Sequence, residues 1–305
     1  MLPGGNALHM GAGSGIRKVL AAGAGHSRTI AAMPTLPLHR PPRRPHAWAW
    51  GFAASQLAVI AIWWQWGWKP GLVALAATHL AMVWATLRPR SAVFSPVLSR
   101  LPTGERVAWL TIDDGPSEDT AAMLDLLDAH RARATFFLVG ERAQARPALV
   151  AEIVRRGHGI GQHSHTHPQA WFWALPPRAM QAQIDAAQAT LAGLAGAPPR
   201  WFRAVVGMAN PFVAAALKRH GLARVAWSAR AYDAVLADPQ RAAARIERDL
   251  APGAIVLLHE GAAHGRNVET LAAVLSMLDA RGYRTVLPEE LEGVVEAVPV
   301  AQPSR

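Results

Sequence analysis

The chain has no cysteine. Disulfides, thiolate metal sites and thiol nucleophiles are therefore excluded, and any metal the protein holds must be bound through imidazole and carboxylate groups. Acidic residues are missing from the first third. Residues 1–100 carry ten Lys or Arg and no Asp or Glu, the first acid being Glu105, whereas residues 101–305 hold 21 basic and 21 acidic side chains. The formal net charge of +10 thus belongs entirely to the N-terminal third. Spread over a folded surface, such an excess points to nucleic acid. Confined beside apolar runs it reads as a membrane-orientation signal instead, and no nucleic-acid partner is expected.

From Met1 to His46 the chain is rich in Gly, Ala, Pro and Arg without a sustained apolar period, which reads as a disordered basic tail. Ala47 to Trp68 then runs without a charged side chain, long enough for a hydrocarbon core that needs about 20 residues. After Lys69-Pro70 a second uncharged run, Gly71 to Leu87, is shorter and carries His79. Seven of the twelve tryptophans lie in these two runs, mostly near their ends, where indoles prefer the membrane interface. The expectation is one or two transmembrane helices, set against a buried soluble hairpin. The expected divisions are a tail at 1–46, a transmembrane hairpin at 47–90, a catalytic domain at 101–295 and a short tail at 296–305.

Beyond Leu101 short apolar runs alternate with amphipathic stretches, the pattern of an α/β domain. Strands are expected at 107–112, 134–139, 159–162, 201–203, 224–228, 254–258 and 283–286. Helices are expected near 120–129, 147–156, 177–194, 211–220, 239–250 and 268–281, several opened by proline.

The polar clusters of this domain follow predicted strands, the edge at which a β/α barrel gathers its catalytic groups. In Thr111-Ile112-Asp113-Asp114-Gly115-Pro116, two adjacent carboxylates repel unless a cation compensates, although the same residues also make an ordinary turn. His163, His165 and His167 crowd into Gln162-His163-Ser164-His165-Thr166-His167-Pro168, and neutral imidazoles four apart can chelate one ion from a helical turn or a tight loop. Pro168 and the preceding strand favour the loop. His259, in Leu257-Leu258-His259-Glu260-Gly261, taken singly reads as a satisfied polar residue.

In order, Asp-Asp-Gly-Pro, Ala134-Thr135-Phe136-Phe137-Leu138-Val139-Gly140, the His163–His167 loop, Arg203 and Leu-Leu-His resemble the NodB homology domain of the polysaccharide deacetylases, carbohydrate esterase family 4, over residues 105 to about 290. The resemblance implies a distorted (β/α)7 barrel and a metal-dependent amide hydrolase that removes N-acyl groups, N-acetyl first, from amino sugars. It implies Asp114, His163 and His167 as metal ligands, Asp113 as base, Arg203 as the arginine that holds the base, and His259 as general acid. Ser164 would support the ligand loop, and His165 would be a loop or substrate-contact position. The cofactor implied is a divalent cation, zinc first, with cobalt, nickel or manganese as alternatives.

Two motifs depart from the family pattern. Arg203-Ala204-Val205-Val206-Gly207 stands where Arg-Pro-Pro-Tyr-Gly is common, so the oxyanion role of the Val206 N–H depends on the loop keeping its course. Arg230 stands where a carboxylate often tunes the acid histidine, and Asp233 is the candidate to take that part. The expected partners are a membrane and an amino-sugar glycan or, as an alternative, a lipid-linked amino sugar. A degenerate glycan-binding protein is the non-enzymatic alternative. The expected place is the cytoplasmic membrane, with charge favouring the cytoplasmic face for the catalytic domain.

Overall fold

The computed structural model describes Met1 and residues 38–291; the expected basic tail up to residue 37 and the expected C-terminal tail lie outside the described residues. Residues 38–46, expected as the end of the tail, lie against the domain. Leu38 is buried in the barrel interior and His39 Nε2 contacts the Arg200 carbonyl at 3.0 Å.

Two helices open the described chain, α1 (Ala47–Trp66) and α2 (Trp68–Leu87). Between them Gly67 takes φ 89°, a conformation that a side chain would strain. The first run therefore ends two residues earlier than expected, and Lys69-Pro70 falls in the first turn of α2, where the missing proline N–H has no helical partner to lose. The helices form an antiparallel hairpin. Gln56 Nε2 donates to Thr78 Oγ1 at 3.2 Å, the rings of Phe52 and His79 are 5.3 Å apart, and Gly71 sits against Trp63 with no room for a Cβ. Val59 is the buried residue of α1, and Gly71, Ala85 and Thr86 are those of α2. A buried soluble hairpin would hide its apolar side chains, and this one exposes Leu57, Ile60, Trp64, Val73 and Leu80.

The catalytic domain is built on parallel strands: β1 (Val97–Leu98), β2 (Val107–Gly115), β3 (Ala134–Leu138), β4 (Gly159–Gln162), β5 (Trp201–Phe202), β6 (Ala223–Val225), β7 (Ala229–Arg230), β8 (Ala254–His259) and β9 (Arg284–Thr285). Their order is β1-β6-β5-β4-β3-β2-β8-β7, with β9 beside the start of β2. Because β6 and β7 are successive pieces of one segment, pairing β5 and β8 respectively, the sheet curls around into the distorted barrel that the resemblance implies. Around it lie α3 (Thr120–Ala129), α4 (Gly140–Ala145), α5 (Pro147–Arg155), α6 (Pro177–Ala195), α7 (Val213–Arg219), α8 (Pro239–Asp249) and α9 (Asn267–Ala280).

Strand alternation sorts β2 into two layers. Ala108, Leu110 and Ile112 join Phe136, Val256 and the apolar faces of α3, α5 and α9, while Val107 and Trp109 join Phe137, Trp201 and Leu257 inside the barrel. The interior is closed at its base by Trp109, whose ring lies 5.1 Å from that of Trp201 and whose Nε1 donates to Thr135 Oγ1 at 2.8 Å. The next inward residues of β2 are Thr111 and Asp113, so the interior passes from apolar to charged toward the strand ends.

A linker joins hairpin to barrel. Arg90 donates to the carbonyls of Trp227 at 2.8 Å and Ser228 at 3.1 Å, while buried Arg224 donates back to the carbonyls of Ser91 and Ser95. β1 then adds to β6 in register Val97 with Arg224.

Candidate active site

Adjacent strand residues point to opposite faces, so neighbouring carboxylates share a site only where alternation fails. It fails at Asp114. Against β3 the register steps from Asp113–Phe137 to Gly115–Leu138, which leaves Asp114 as the extra residue of a bulge at φ 74°. Both carboxylates thereby reach one place. On its other side Asp113 is registered with His259 of β8, which brings the third cluster beside the first.

The histidines arrive from the end of β4. The loop after Gln162 is not helical, and Ser164 and His167 both take left-handed φ, 65° and 51°. Ser164 Oγ accepts from the His167 N–H at 3.2 Å, and Gln183 of α6 accepts from the N–H groups of His165 at 3.1 Å and Thr166 at 2.9 Å. The loop is thus fixed before any ligand binds. His163 Nδ1 contacts the Arg203 carbonyl at 2.9 Å; donating there, it leaves the Nε2 lone pair facing the carboxylates.

Asp114, His163 and His167 each offer one donor atom, all within 4.8 Å of one another. Asp114 Oδ1 lies 2.9 Å from His167 Nε2 and 3.5 Å from His163 Nε2, yet it is buried without an accepted hydrogen bond. Three ligand atoms that converge this closely, one of them a buried carboxylate oxygen without a partner, fit a cation between them. The protonation states suit this role. Burial opposes ionisation of Asp114, but the imidazoles of His167, His163 and His259 outweigh it and hold the carboxyl well below the usual range. Burial pushes His163 down, toward the neutral form that binds metals.

Asp113 is almost fully buried and lies beside this set, its Oδ2 3.8 Å from His163 Nε2. Its Oδ1 accepts from Arg203 Nη1 at 2.7 Å. Arg203, with no exposed surface, also donates to Thr111 Oγ1 at 2.8 Å and the Ala226 carbonyl at 3.2 Å, and its guanidinium stacks 4.2 Å from the Phe137 ring. On the opposite flank, His259 Nδ1 contacts Asp233 Oδ1 at 2.9 Å, and its N–H donates to Asp233 Oδ2 at 2.7 Å. Burial pulls the His259 imidazole down, but the Asp233 charge and hydrogen bond outweigh it and raise its pKa.

The polysaccharide deacetylase family model matches residues 100–225. The chitooligosaccharide deacetylase of Bradyrhizobium sp. (strain ANU 289) is 32% identical over 194 residues, which span 59% of this chain and 88% of the relative. The chain belongs to the polysaccharide deacetylase family. Among solved structures, the Bc1960 peptidoglycan N-acetylglucosamine deacetylase is 31% identical with a TM-score of 0.58, covering 63% of this chain and 91% of that one. A mutant of the family 4 pseudoenzyme BA3943 with restored activity is 26% identical with a TM-score of 0.57, covering 62% and 68%. Polysaccharide deacetylases are hydrolases of amide C–N bonds, and the chain is one by family.

Within the family frame, Val206 adopts φ 54° and is partly exposed, an outlying conformation for a β-branched residue. The Arg230 guanidinium lies 4.4 Å from the Tyr232 ring and 5.2 Å from that of Trp227. His165 packs against Gly140 at the start of α4. Three contributors had no role in the sequence reading: Thr111, Gln183 and Glu260. Buried Glu260 accepts from the Ser117 N–H at 3.1 Å, Ser117 Oγ at 2.7 Å and Thr120 Oγ1, which ties the Asp113–Pro116 turn to the end of β8. A carboxyl directly after the candidate acid was its only sequence signal.

Proposed function

We propose that the protein is a membrane-anchored, metal-dependent N-deacetylase of amino sugars, with Asp114, His163 and His167 holding a divalent cation, zinc before cobalt, nickel or manganese. The observation that carries this reading is the convergence of those three ligand atoms within 4.8 Å, Asp114 Oδ1 among them buried without a hydrogen bond, between an Arg203-held carboxylate and an Asp233-held imidazole. When bound, the cation acidifies a water and draws electrons from the acyl oxygen. Asp113 takes the proton of the attacking water, and Arg203, donating to its Oδ1, keeps it aimed. His259, protonated against Asp233, delivers a proton to the sugar nitrogen as the C–N bond breaks. The Val206 N–H faces the developing oxyanion. The hairpin of α1 and α2 holds the domain at a bilayer.

The test is metal analysis joined to acyl release from N-acetylated chitooligosaccharides. The purified protein should carry about one ion per chain and release acetate, and His163→Ala should lose both. Full metal content in that variant would remove His163 from the ligand set.

A further inference from the structure

The hairpin marks two membrane levels on itself. Near its turn Lys69 lies 5.9 Å from the Trp68 ring, and at its base Arg88 lies 5.0 Å from the Trp84 ring. The 20 residues of α2, with Trp68 and Lys69 at one end and Trp84 and Arg88 at the other, rise about 30 Å, the thickness of a hydrocarbon core, so each pair sits at one headgroup level. Exposed Arg43 and Arg44, just before α1, add cationic charge at the base level.

The base level is also the level of the active-site mouth. Trp48 of α1 packs edge-on against Phe212, 6.0 Å between ring centroids, in the loop that follows β5. Asn210 of the same loop donates to the Leu175 carbonyl at 2.8 Å, which joins it to the loop bearing the histidines. On the other flank Gly207 is wedged so closely that a Cβ there would meet Trp227 at 2.5 Å and Pro89 at 2.8 Å. The segment that leaves α2, at Pro89, therefore touches the neighbour of Val206 itself. All strands are parallel, so the loops after β4, β5 and β7 leave the barrel at one edge. Those loops carry exposed Trp171, Trp173, Val206, Tyr232 and Val235, 68%, 40%, 36%, 46% and 77% accessible. An apolar rim continuous with a membrane hairpin has one natural occupant.

We propose that this rim rests in the headgroup region of the bilayer and that the amide hydrolysed belongs to an amino sugar carried on a membrane lipid. The substrate class rests on the deacetylase reading above; the docked rim does not. A lipid tail stays in the membrane while the sugar rises a few ångströms into the barrel mouth, where Asp113 and His259 wait. A free polymer chain, by contrast, would have to displace lipid from the same rim.

The absence of cysteine makes the test direct. Single cysteines at Trp171, Val235, Ala53 and Val154 of the full chain are labelled with an environment-sensitive fluorophore and reconstituted in phosphatidylethanolamine and phosphatidylglycerol vesicles with brominated acyl chains. Labels at Trp171 and Val235 should be quenched like that at Ala53 in α1, and the label at Val154 on α5 should not. Unquenched rim labels beside a quenched Ala53 label overturn the docked rim. Turnover is then compared on an N-acetylated amino sugar linked to a polyprenyl phosphate and on the same sugar without the tail. A kcat/KM preference of about tenfold or more for the tailed substrate, reduced in Val235→Asp, supports the assignment. Equal turnover of both overturns the substrate class. Quenched rim labels with no acyl release from either substrate support the docked rim and count against the deacetylase reading.

Discussion

Asp113 and His259 sit on neighbouring strands in register, and each is held by a counter-charge, Arg203 and Asp233 respectively. Proton transfer by positioned groups contributes roughly 10²–10⁴-fold, so Asp113→Asn and His259→Ala should each lower kcat by that order while metal content stays near one ion per chain. Near-wild-type turnover in either would strip that residue of its role. Asp233 offers a finer measurement. Its carboxylate raises the pKa of His259 against the pull of burial, so the protonated acid survives to higher pH, and activity falls as pH rises through that raised value. Replacing the charge in Asp233→Asn removes the largest influence that opposes burial and leaves only those of Asp113 and Asp114. The alkaline limb of kcat/KM should move to lower pH, and an unmoved limb would show that His259 is not the titrating acid. At this scale the sequence was readable where residue identity and spacing were the signal. The Asp-Asp pair and the three histidines could be named from their spacing near strand ends, and Asp233 from the family resemblance, as the candidate to replace the carboxylate that Arg230 displaces. Gln183 could not: a glutamine on an amphipathic helix looks like any solvated side chain until the loop it binds is in place.

The elements show why the remaining geometry was hidden. The seven expected strands form, but β2 continues three residues past its expected end and carries both aspartates within it. The bulge that turns Asp114 toward Asp113 has no sequence mark apart from the following glycine. β1 was missed because two residues have no period to detect, and α4 because Gly-Glu-Arg-Ala-Gln-Ala carries no apolar stripe. Gly115 is where this architecture is least tolerant. A Cβ there would run into the Glu260 carboxylate, which cannot swing away without giving up its bonds from Ser117 and Thr120. Gly115→Ala should therefore displace Asp114 and weaken metal binding by at least about tenfold, read by competition with a chelator, with kcat/KM falling in parallel. Unchanged competition would mean that the turn yields without moving the ligand.

For the whole molecule, charge decides which side of the bilayer holds the barrel in the membrane-anchored arrangement proposed above. A hairpin returns the chain to its starting side, so the residues before α1 and the catalytic domain share a compartment. The basic flanks are Arg40, Arg43 and Arg44 before the hairpin and Arg88, Arg90 and Arg100 after it, against Lys69 alone at the turn. Arg90 is engaged with the Trp227 and Ser228 carbonyls, but its charge still lies at the base. Cationic loops are retained in the cytoplasm, so we expect the barrel to face it. That placement also agrees with a substrate carried on a lipid, since a sugar attached to a lipid is within reach of a cytoplasmic site and a mature wall polymer is not. Reporter fusions after Lys69 and after Arg100 test the arrangement. The Arg100 fusion should report the cytoplasm and the Lys69 fusion the opposite side. An extracytoplasmic signal at Arg100 would reverse the orientation and direct the search toward amino sugars outside the cell membrane.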